Sequence, residues 1–336
     1  MNDTRLEAAI EMPHAVVALP ASWTSRRADA SERRWLSRSR LRYDDAGDEL
    51  LPRILAALHL APPGSGLGAL RMWGQTGERP TVWVAAADPV YLEARLDHVC
   101  LFALGGSELP VTDVRAIFDT VQAALGSNGS VGSYAFARIG ALGYLRSDHA
   151  ITTAAVSPRT VHGASPDIYL PEGEQAQAHD RLQSEVQMCL HESDINRQRG
   201  RVGMRPVNSL WFWGGGMAPP QVIRDVPPLF SDDPLMRGYW QSSTGTVLSW
   251  PGSLEACVDA AQGGFVAVVP GTGDRPPMTD ADAMSDLGRL RHMLSNGRLQ
   301  SLTLLFQDGL RADFRRTDRF RFWRRGSPLL PETKRP

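Results

Sequence analysis

Short apolar runs alternate along the chain with segments whose apolar residues recur at helical spacing. The short runs predict strands at residues 15–20, 81–86, 99–104, 134–139, 208–213, 247–250 and 265–269. The helically spaced segments predict helices at residues 48–60, 111–125, 173–191, 253–261 and 280–294. Strands separated by helices indicate an α/β fold, in which helices flank a mixed, mostly parallel sheet.

A β-hairpin is predicted near the C-terminus. The β-rich segments 299–306 and 310–316 flank Asp308 and Gly309, a residue pair that is typical of hairpin turns. Because a hairpin is antiparallel, we expect it to be an addition at one edge of the sheet.

The length of the chain sets the expected number of domains. Its 336 residues are enough for one large α/β domain or two smaller ones. We expect an N-terminal α/β part at 1–165 and a second α/β part, with the hairpin, at 166–336, or else one continuous globular unit. The N-terminus lacks the pattern of a signal peptide, and no apolar run is long enough for a membrane span. We therefore expect a cytoplasmic protein with no membrane partner.

The composition excludes several kinds of chemistry. The formal net charge of −1 gives no bulk electrostatic reason to bind nucleic acid or a membrane. Lys334 is the single lysine, so the chain has neither a Gly-Lys-Ser/Thr phosphate loop nor an internal lysine for a Schiff base. Any anion would have to be bound by arginine, whose guanidinium suits phosphate and carboxylate. The cysteines Cys100, Cys189 and Cys257 form no C-x-x-C pair, which argues against zinc ribbons and thioredoxin-type sites.

One stretch carries a resemblance to a known family. Leu170–Gly173 form a Leu-Pro-x-Gly turn, and a predicted helix follows it. Asn196 and Arg199 then form an Asn-x-x-Arg element, and a strand that runs into a glycine turn extends from Asn208 to Gly216. The stretch resembles the archaeal-type, cofactor-independent phosphoglycerate mutases of the alkaline-phosphatase superfamily. The resemblance implies a degenerate alkaline-phosphatase-like fold.

The whole chain also resembles the RpfE-type proteobacterial proteins. The matching residues are Asp88-Pro89-Val90, 208–216 and the Arg- and Trp-rich segment 320–325. These proteins are described as regulatory or phosphoglycerate-mutase-like and have no settled activity.

The resemblance to the mutases implies a two-metal site that the sequence does not reproduce. Mutases of this superfamily use two divalent metals, such as manganese, and a serine nucleophile, with Asp and His ligands at strand ends. Where the family has Asp-Gly, the first strand here ends in Leu19-Pro20-Ala21-Ser22. The strand 265–269 leads into Pro270–Asp274 without a histidine, and Gln307-Asp308-Gly309 stands where the family has Asp-His. The eight histidines are scattered singly.

The sequence therefore predicts no catalytic residues, no metal and no cofactor. We interpret the chain as a non-catalytic, phosphoglycerate-mutase-like protein, a regulatory pseudoenzyme that binds a protein partner or a small anion. The alternative is a metal-dependent phosphoglycerate mutase, or a related phosphoryl-transfer enzyme, with two divalent metals held by unconventional ligands.

Polar residues near the Asn208 strand are candidate ligands for a small anion. In the structural interpretation, Asn208 and Ser209 are buried and hydrogen-bond an adjacent loop backbone. In the functional interpretation, side chains and glycine N–H groups together line an anion pocket. The candidates are Asn196, Arg197, Arg199, Asn208, Ser209, Gly214 and Gly215.

Arginine and aromatic residues alternate at the C-terminal end. This pattern is typical of a half-buried edge strand that is protected by charge or docks an acidic partner. It also occurs in proteins that bind single-stranded nucleic acid by phosphate contact and stacking. The candidate surface comprises Arg315, Arg316, Arg319, Arg321, Trp323 and Arg324.

Overall fold

The computed structural model describes residues 14–20, 30–43, 49–126, 134–191, 193–261, 263–271 and 280–320. The chain forms two compact units. Unit 1 comprises Met1–Asp45, Val226–Asp232 and Thr246–Pro336, and unit 2 comprises Ala46–Asp225 and Asp233–Gly245. Residues 165 and 166, where the sequence suggests a boundary, both lie within unit 2.

The described residues form strands and helices in alternating groups. The strands are β1 (His14–Ala18), β2 (Arg40–Tyr43), β3 (Trp83–Ala94), β4 (Val99–Ala103), β5 (Tyr134–Ile139), β6 (Leu142–Ser147), β7 (Ser209–Gly216), β8 (Leu229–Phe230), β9 (Val247–Leu248), β10 (Gly264–Val268), β11 (Ser301–Leu305) and β12 (Leu310–Arg315). The helices are α1 (Ala30–Leu36), α2 (Leu50–Ala57), α3 (Leu67–Thr76), α4 (Val111–Leu125), α5 (Pro158–Val161), α6 (Gln177–His191), α7 (Asp194–Arg201), α8 (Pro234–Ser242), α9 (Leu254–Ala260) and α10 (Asp280–Asn296).

Unit 1 contains a mixed, mostly parallel sheet in the order β2-β12-β11-β1-β10-β8-β9. The five strands from β11 to β9 run parallel, and β12 and β2 are antiparallel additions. Residues of α1, α9 and α10 pack with alternate residues of β1, β10 and β11 in one apolar core. The α/β prediction with a mixed, mostly parallel sheet is confirmed.

The predicted hairpin forms, with β11 and β12 joined at Asp308 and Gly309. Its expected place at the edge of the sheet is wrong, because β2 pairs with β12 on the far side. Strand β2 is short and rich in arginine, and the apolar pattern of the sequence predicts no element there.

Unit 2 contains a second sheet, and this sheet is entirely antiparallel. Strands β6 and β4 pair with successive parts of one edge of β3, β5 pairs with β6, and β7 pairs with the other edge of β3. Helices α4, α6 and α7 cover one face, where Ala85, Ala87 and Phe212 are buried. Helix α3 packs on the other face.

Strand β3 does not end at residue 86, as the sequence pattern predicts, but continues through Asp88-Pro89 to Ala94. A proline lacks the N–H that a central strand needs for its ladder. On one edge, β3 pairs with β6 up to Ala86 and then with β4 from Val90 onward. Pro89 lies in the gap between these two ladders, so its missing N–H costs no ladder hydrogen bond.

Helices α3 and α8 pack together at an unusually short distance. A methyl group added at Gly74 would lie 1.9 Å from the carbonyl oxygen of Pro234, and one added at Gly238 would lie 1.8 Å from that of Leu70. Only glycine permits this approach of the two backbones. Among the described helices, none combines the length and apolar composition needed to cross a membrane.

Candidate functional site

A group of buried and half-buried polar side chains in unit 2 lies between α3 and its sheet. Alternation along β3 turns Ala85 and Ala87 toward the opposite face and leaves Asp88 on the side of α3. The Arg71 guanidinium donates to both Asp88 carboxylate oxygens, at 2.8 and 2.9 Å, and to the Gly143 carbonyl oxygen at 2.6 Å. The Trp213 indole N–H also donates to Asp88, at 2.7 Å.

Tyr144 completes this group, which we call the Arg71 cluster (Arg71, Gln75, Asp88, Tyr144 and Trp213). The Arg71 guanidinium lies 4.9 Å from the centre of the Tyr144 ring and 5.3 Å from that of Trp213. The Tyr144 hydroxyl lies 2.5 Å from the Gln75 amide oxygen and donates to it. Burial raises the pKa of Tyr144 to about 12, so the phenol stays protonated. The Asp88 carboxylate and the Tyr144 phenol both hydrogen-bond other protein groups, so the Arg71 cluster stabilises the packing of α3 on the sheet.

Sequence reasoning identified Asp88 only through a resemblance and missed Arg71. A signal was present, because an acid on the buried face of an apolar strand needs a cation or several donors. The partner could not be named from the sequence, since many arginines are available to it.

The Asn208 side chain extends the ladder between β3 and β7. Its amide oxygen accepts from the Leu92 N–H at 2.7 Å, and its amide nitrogen donates to the Leu92 carbonyl at 2.8 Å. These bonds replace those that a further residue of β7 would make. The partner is thus a strand backbone rather than a loop. The neighbouring Ser209 hydroxyl is fully buried and accepts from the Gln183 amide at 2.6 Å.

Asn196 and Arg199 connect α7 to its surroundings. The Asn196 amide nitrogen donates to the carbonyls of Leu190 and Val207, and its oxygen accepts from the Val207 N–H, each at 2.8 Å. The Arg199 side chain is 2% exposed and lies 2.5 Å from the Asp113 carboxylate.

The remaining candidates near β7 also have protein partners. Arg197 pairs with Asp194 on the surface. The Gly214 N–H donates to the Ala154 carbonyl at 2.8 Å, and the Gly215 N–H to the Thr153 hydroxyl at 2.9 Å. The structure therefore brings Asn196 close to Asn208 through Val207, whereas Arg197 lies apart at the surface. A role for these residues in anion binding stays a prediction.

The carboxyl ends of three neighbouring parallel strands in unit 1 are where a two-metal centre would be expected. The described residues that follow β1, β10 and β11 there are Leu19, Pro20, Val269, Pro270, Phe306, Gln307 and Asp308. Among the residues that the structure describes, no group of three or more His, Cys, Asp or Glu side chains could hold a metal. At these strand ends, the described residues supply one carboxylate, that of Asp308, and no imidazole.

Part of the C-terminal arginine surface lies outside the described residues. Arg315 and Arg316 end β12 and begin a 3₁₀ turn, and both are exposed. The Arg319 backbone belongs to that turn, but its side chain is outside the description, as are Arg321, Trp323 and Arg324 altogether.

Comparison with known proteins identifies relatives over a short segment. No family model matches the chain. The chain is 32% identical over 62 residues to the 2,3-bisphosphoglycerate-independent phosphoglycerate mutase of Methanothrix thermoacetophila, and 33% identical over 67 residues to that of Methanosarcina mazei. The matches cover 18% and 20% of this chain. Over this segment, the chain shows distant homology to the cofactor-independent phosphoglycerate mutases.

The shared part of these relatives is small. The matches span 16% and 17% of the two curated mutases, about a sixth of their length. Among solved structures, a cofactor-independent phosphoglycerate mutase from Thermoplasma acidophilum has a TM-score of 0.40 at 14% identity and covers 90% of this chain and 89% of its own. A protein from Pyrococcus horikoshii has a TM-score of 0.48 at 12% identity, with 90% and 86% covered.

Proposed function

We propose that this chain is a non-catalytic, phosphoglycerate-mutase-like protein with a regulatory role, which acts by binding a small anion or a protein partner. The observation that carries the proposal is the set of residues at the ends of β1, β10 and β11. Metal-dependent phosphoryl transfer needs acids and imidazoles that polarise the phosphoryl group through the metals. Among the described residues, apolar residues, prolines and a glycine follow β1 and β10, and Asp308 alone supplies a carboxylate after β11.

Asp308 also has a structural explanation. Its carboxylate accepts from the Leu310 N–H at 3.3 Å, across the hairpin turn, and Gly309 adopts a φ of +86°. An aspartate followed by a glycine in this conformation is what a tight turn requires. The resemblance to RpfE-type regulatory proteins agrees with the proposal but supplies no mechanism.

A mutase assay with added metal tests the proposal. We expect the purified chain to convert no 3-phosphoglycerate to 2-phosphoglycerate, with or without Mn²⁺, and to retain less than one transition metal per chain. The mutase of Methanosarcina mazei, assayed in parallel, controls for the conditions. Manganese-dependent turnover that is lost in Asp308→Ala would overturn the proposal.

The second candidate is a metal-dependent phosphoglycerate mutase with an unconventional ligand set. The relatives favour it, because both curated proteins are mutases by name. It would require two divalent metals, such as manganese, so metal analysis separates it from the first candidate. Two tightly bound metals per chain would support it.

A further inference from the structure

Unit 1 contains a cavity between its helices and the end of β12. The volume is about 460 Å³, within the range of roughly 300–1,000 Å³ that is typical of small-molecule sites. Trp35 of α1, Leu294 of α10 and Phe314 of β12 supply apolar wall. The Trp35 and Phe314 rings stack with their centres 4.3 Å apart, which fixes the orientation of the indole.

Arginine dominates the polar part of the wall. Four lining arginines come from three different segments: Arg38, Arg291, Arg315 and Arg316. Among the lining residues that the structure describes, Asp318 is the one carboxylate, and it already accepts from the Arg315 backbone N–H at 2.9 Å. The cavity therefore presents a strong excess of positive charge.

None of these four guanidinium groups makes an ion pair or a hydrogen bond within the part of the chain that the structure describes. Other arginines of unit 1 differ, since Arg298 pairs with Asp259 and Arg311 with Asp313. In the same described part, the Arg38 Nε atom is buried and has no hydrogen-bond partner. Arg291, Arg315 and Arg316 are exposed, so their guanidinium groups are available to an anion in the cavity.

Local structure holds Arg316 against the cavity. Its backbone N–H donates to the Gln300 carbonyl at 2.9 Å. Its guanidinium lies across Gly297, where a methyl group would come within 3.1 Å of it. Gly297 also has a φ of +87°, so a larger residue is disfavoured there on two grounds.

The cavity is separate from the strand ends discussed above. Arg315 pairs with Ser301, the first residue of β11, so the cavity lies toward the amino ends of the parallel strands. A mutase centre would lie at their carboxyl ends.

We propose that this cavity binds a small organic phosphate ester with a ring or other apolar portion, of about the size of a nucleoside monophosphate. Two N–H groups of one arginine guanidinium can hydrogen-bond two oxygens of one phosphate, and arginine supplies nearly all the cations of this chain. The apolar portion of the ligand would contact Trp35 and Leu294. The inference deepens the proposed function by naming a ligand class for it, but it does not depend on the absence of turnover.

Binding of defined probes to the full chain tests the proposal. Isothermal titration at low salt would compare AMP, phenyl phosphate, inorganic phosphate and a single-stranded oligonucleotide. We expect AMP or phenyl phosphate to bind at least ten-fold more tightly than inorganic phosphate. We expect Arg316→Glu and Arg291→Glu each to weaken that binding at least ten-fold. Arg201→Glu, at an exposed arginine of α7 in unit 2, is the matched control and should leave the affinity within two-fold.

Circular dichroism of each variant verifies that a loss of binding is not a loss of folding. Failure of both ring-bearing probes to bind overturns the proposal, as does equal affinity for inorganic phosphate. Salt-sensitive binding of the oligonucleotide alone would overturn it in favour of nucleic acid. Mutase turnover together with AMP binding would refute only the proposed function. If the chain shows no mutase turnover and binds neither ring-bearing probe, only this inference is refuted, and the proposed function stands.

Discussion

Replacing Asp88 with alanine should be among the most destabilising single changes in unit 2. The substitution removes the acceptor of two Arg71 hydrogen bonds and one Trp213 hydrogen bond. The Arg71 side chain is only 7% exposed and that of Asp88 only 18%, so water would replace the lost carboxylate only in part. The guanidinium would keep the Gly143 carbonyl as its one remaining acceptor.

The burial of the Arg71–Asp88 pair sets the expected loss of unfolding free energy. Removing one partner of a buried ion pair costs about 3–5 kcal/mol, because the other charge is left uncompensated. Asp88→Asn keeps the size of the side chain and an acceptor for Trp213, so it should cost less. Arg71→Met combined with Asp88→Ala should cost less than the sum of the two single changes, with a coupling energy of about 1–3 kcal/mol.

Urea unfolding followed by circular dichroism and tryptophan fluorescence measures these free energies. The four proteins of the cycle are the wild type, the two single variants and the double variant. A cost below about 1 kcal/mol for Asp88→Ala would refute the view that the pair is buried and coupled. Additive effects in the double variant would do the same.

Three further predictions concern packing and ionisation. Gly238→Ala should lower the free energy of unfolding by about 1–3 kcal/mol, because its methyl group would clash with the Leu70 carbonyl. Gly200→Ala, with open space around it in α7, should raise the free energy of unfolding by about 1 kcal/mol. Equal melting temperatures of the two variants would contradict this prediction. Burial raises the folded-state pKa of Tyr144 to about 12, so the unfolded chain loses this proton first and stability should fall between pH 10 and 12. Tyr144→Phe should flatten that fall in urea titrations, and an unchanged slope would count against the assignment. Burial likewise raises the pKa of Cys257 to about 12, so a thiol reagent at pH 8 should label Cys257 only after the protein unfolds. Peptide mapping measures the labelling, and rapid labelling of Cys257 in the native protein would disprove this prediction.

The elements with strong local patterns could be predicted from the sequence. The apolar runs at β1, β7 and β10 and the hairpin at Asp308 and Gly309 correspond to observed elements. Their residues are dictated by burial on a sheet and by turn geometry, which act over a few positions.

Helices α3 and α8 were missed for a physical reason. Gly74 and Gly238 lower helix propensity locally, and their benefit arises only when the two helices meet. The antiparallel sheet of unit 2 was missed as well, since strand direction depends on partners that are distant in sequence.

The candidate site was predictable in part. The place of Asn208 and Ser209 in an apolar strand predicts that both are hydrogen-bonded, and both are, although Asn208 is only half-buried. Their partners, a strand backbone and the Gln183 side chain, differ from the loop backbone that the sequence suggested. The convergence of Arg38, Arg291 and Arg316 on one cavity could not be predicted, because it depends on how separate segments pack.

The register of β1 has a consequence for how the protein is made. Residues His14–Ala18 pair on one side with Gly264–Val268 and on the other with Ser301–Leu305. During synthesis on the ribosome, the first strand of unit 1 must wait for about 250 residues before either neighbour exists. The described strands of unit 2 emerge in that interval, so its sheet can assemble while β1 is still without its neighbouring strands.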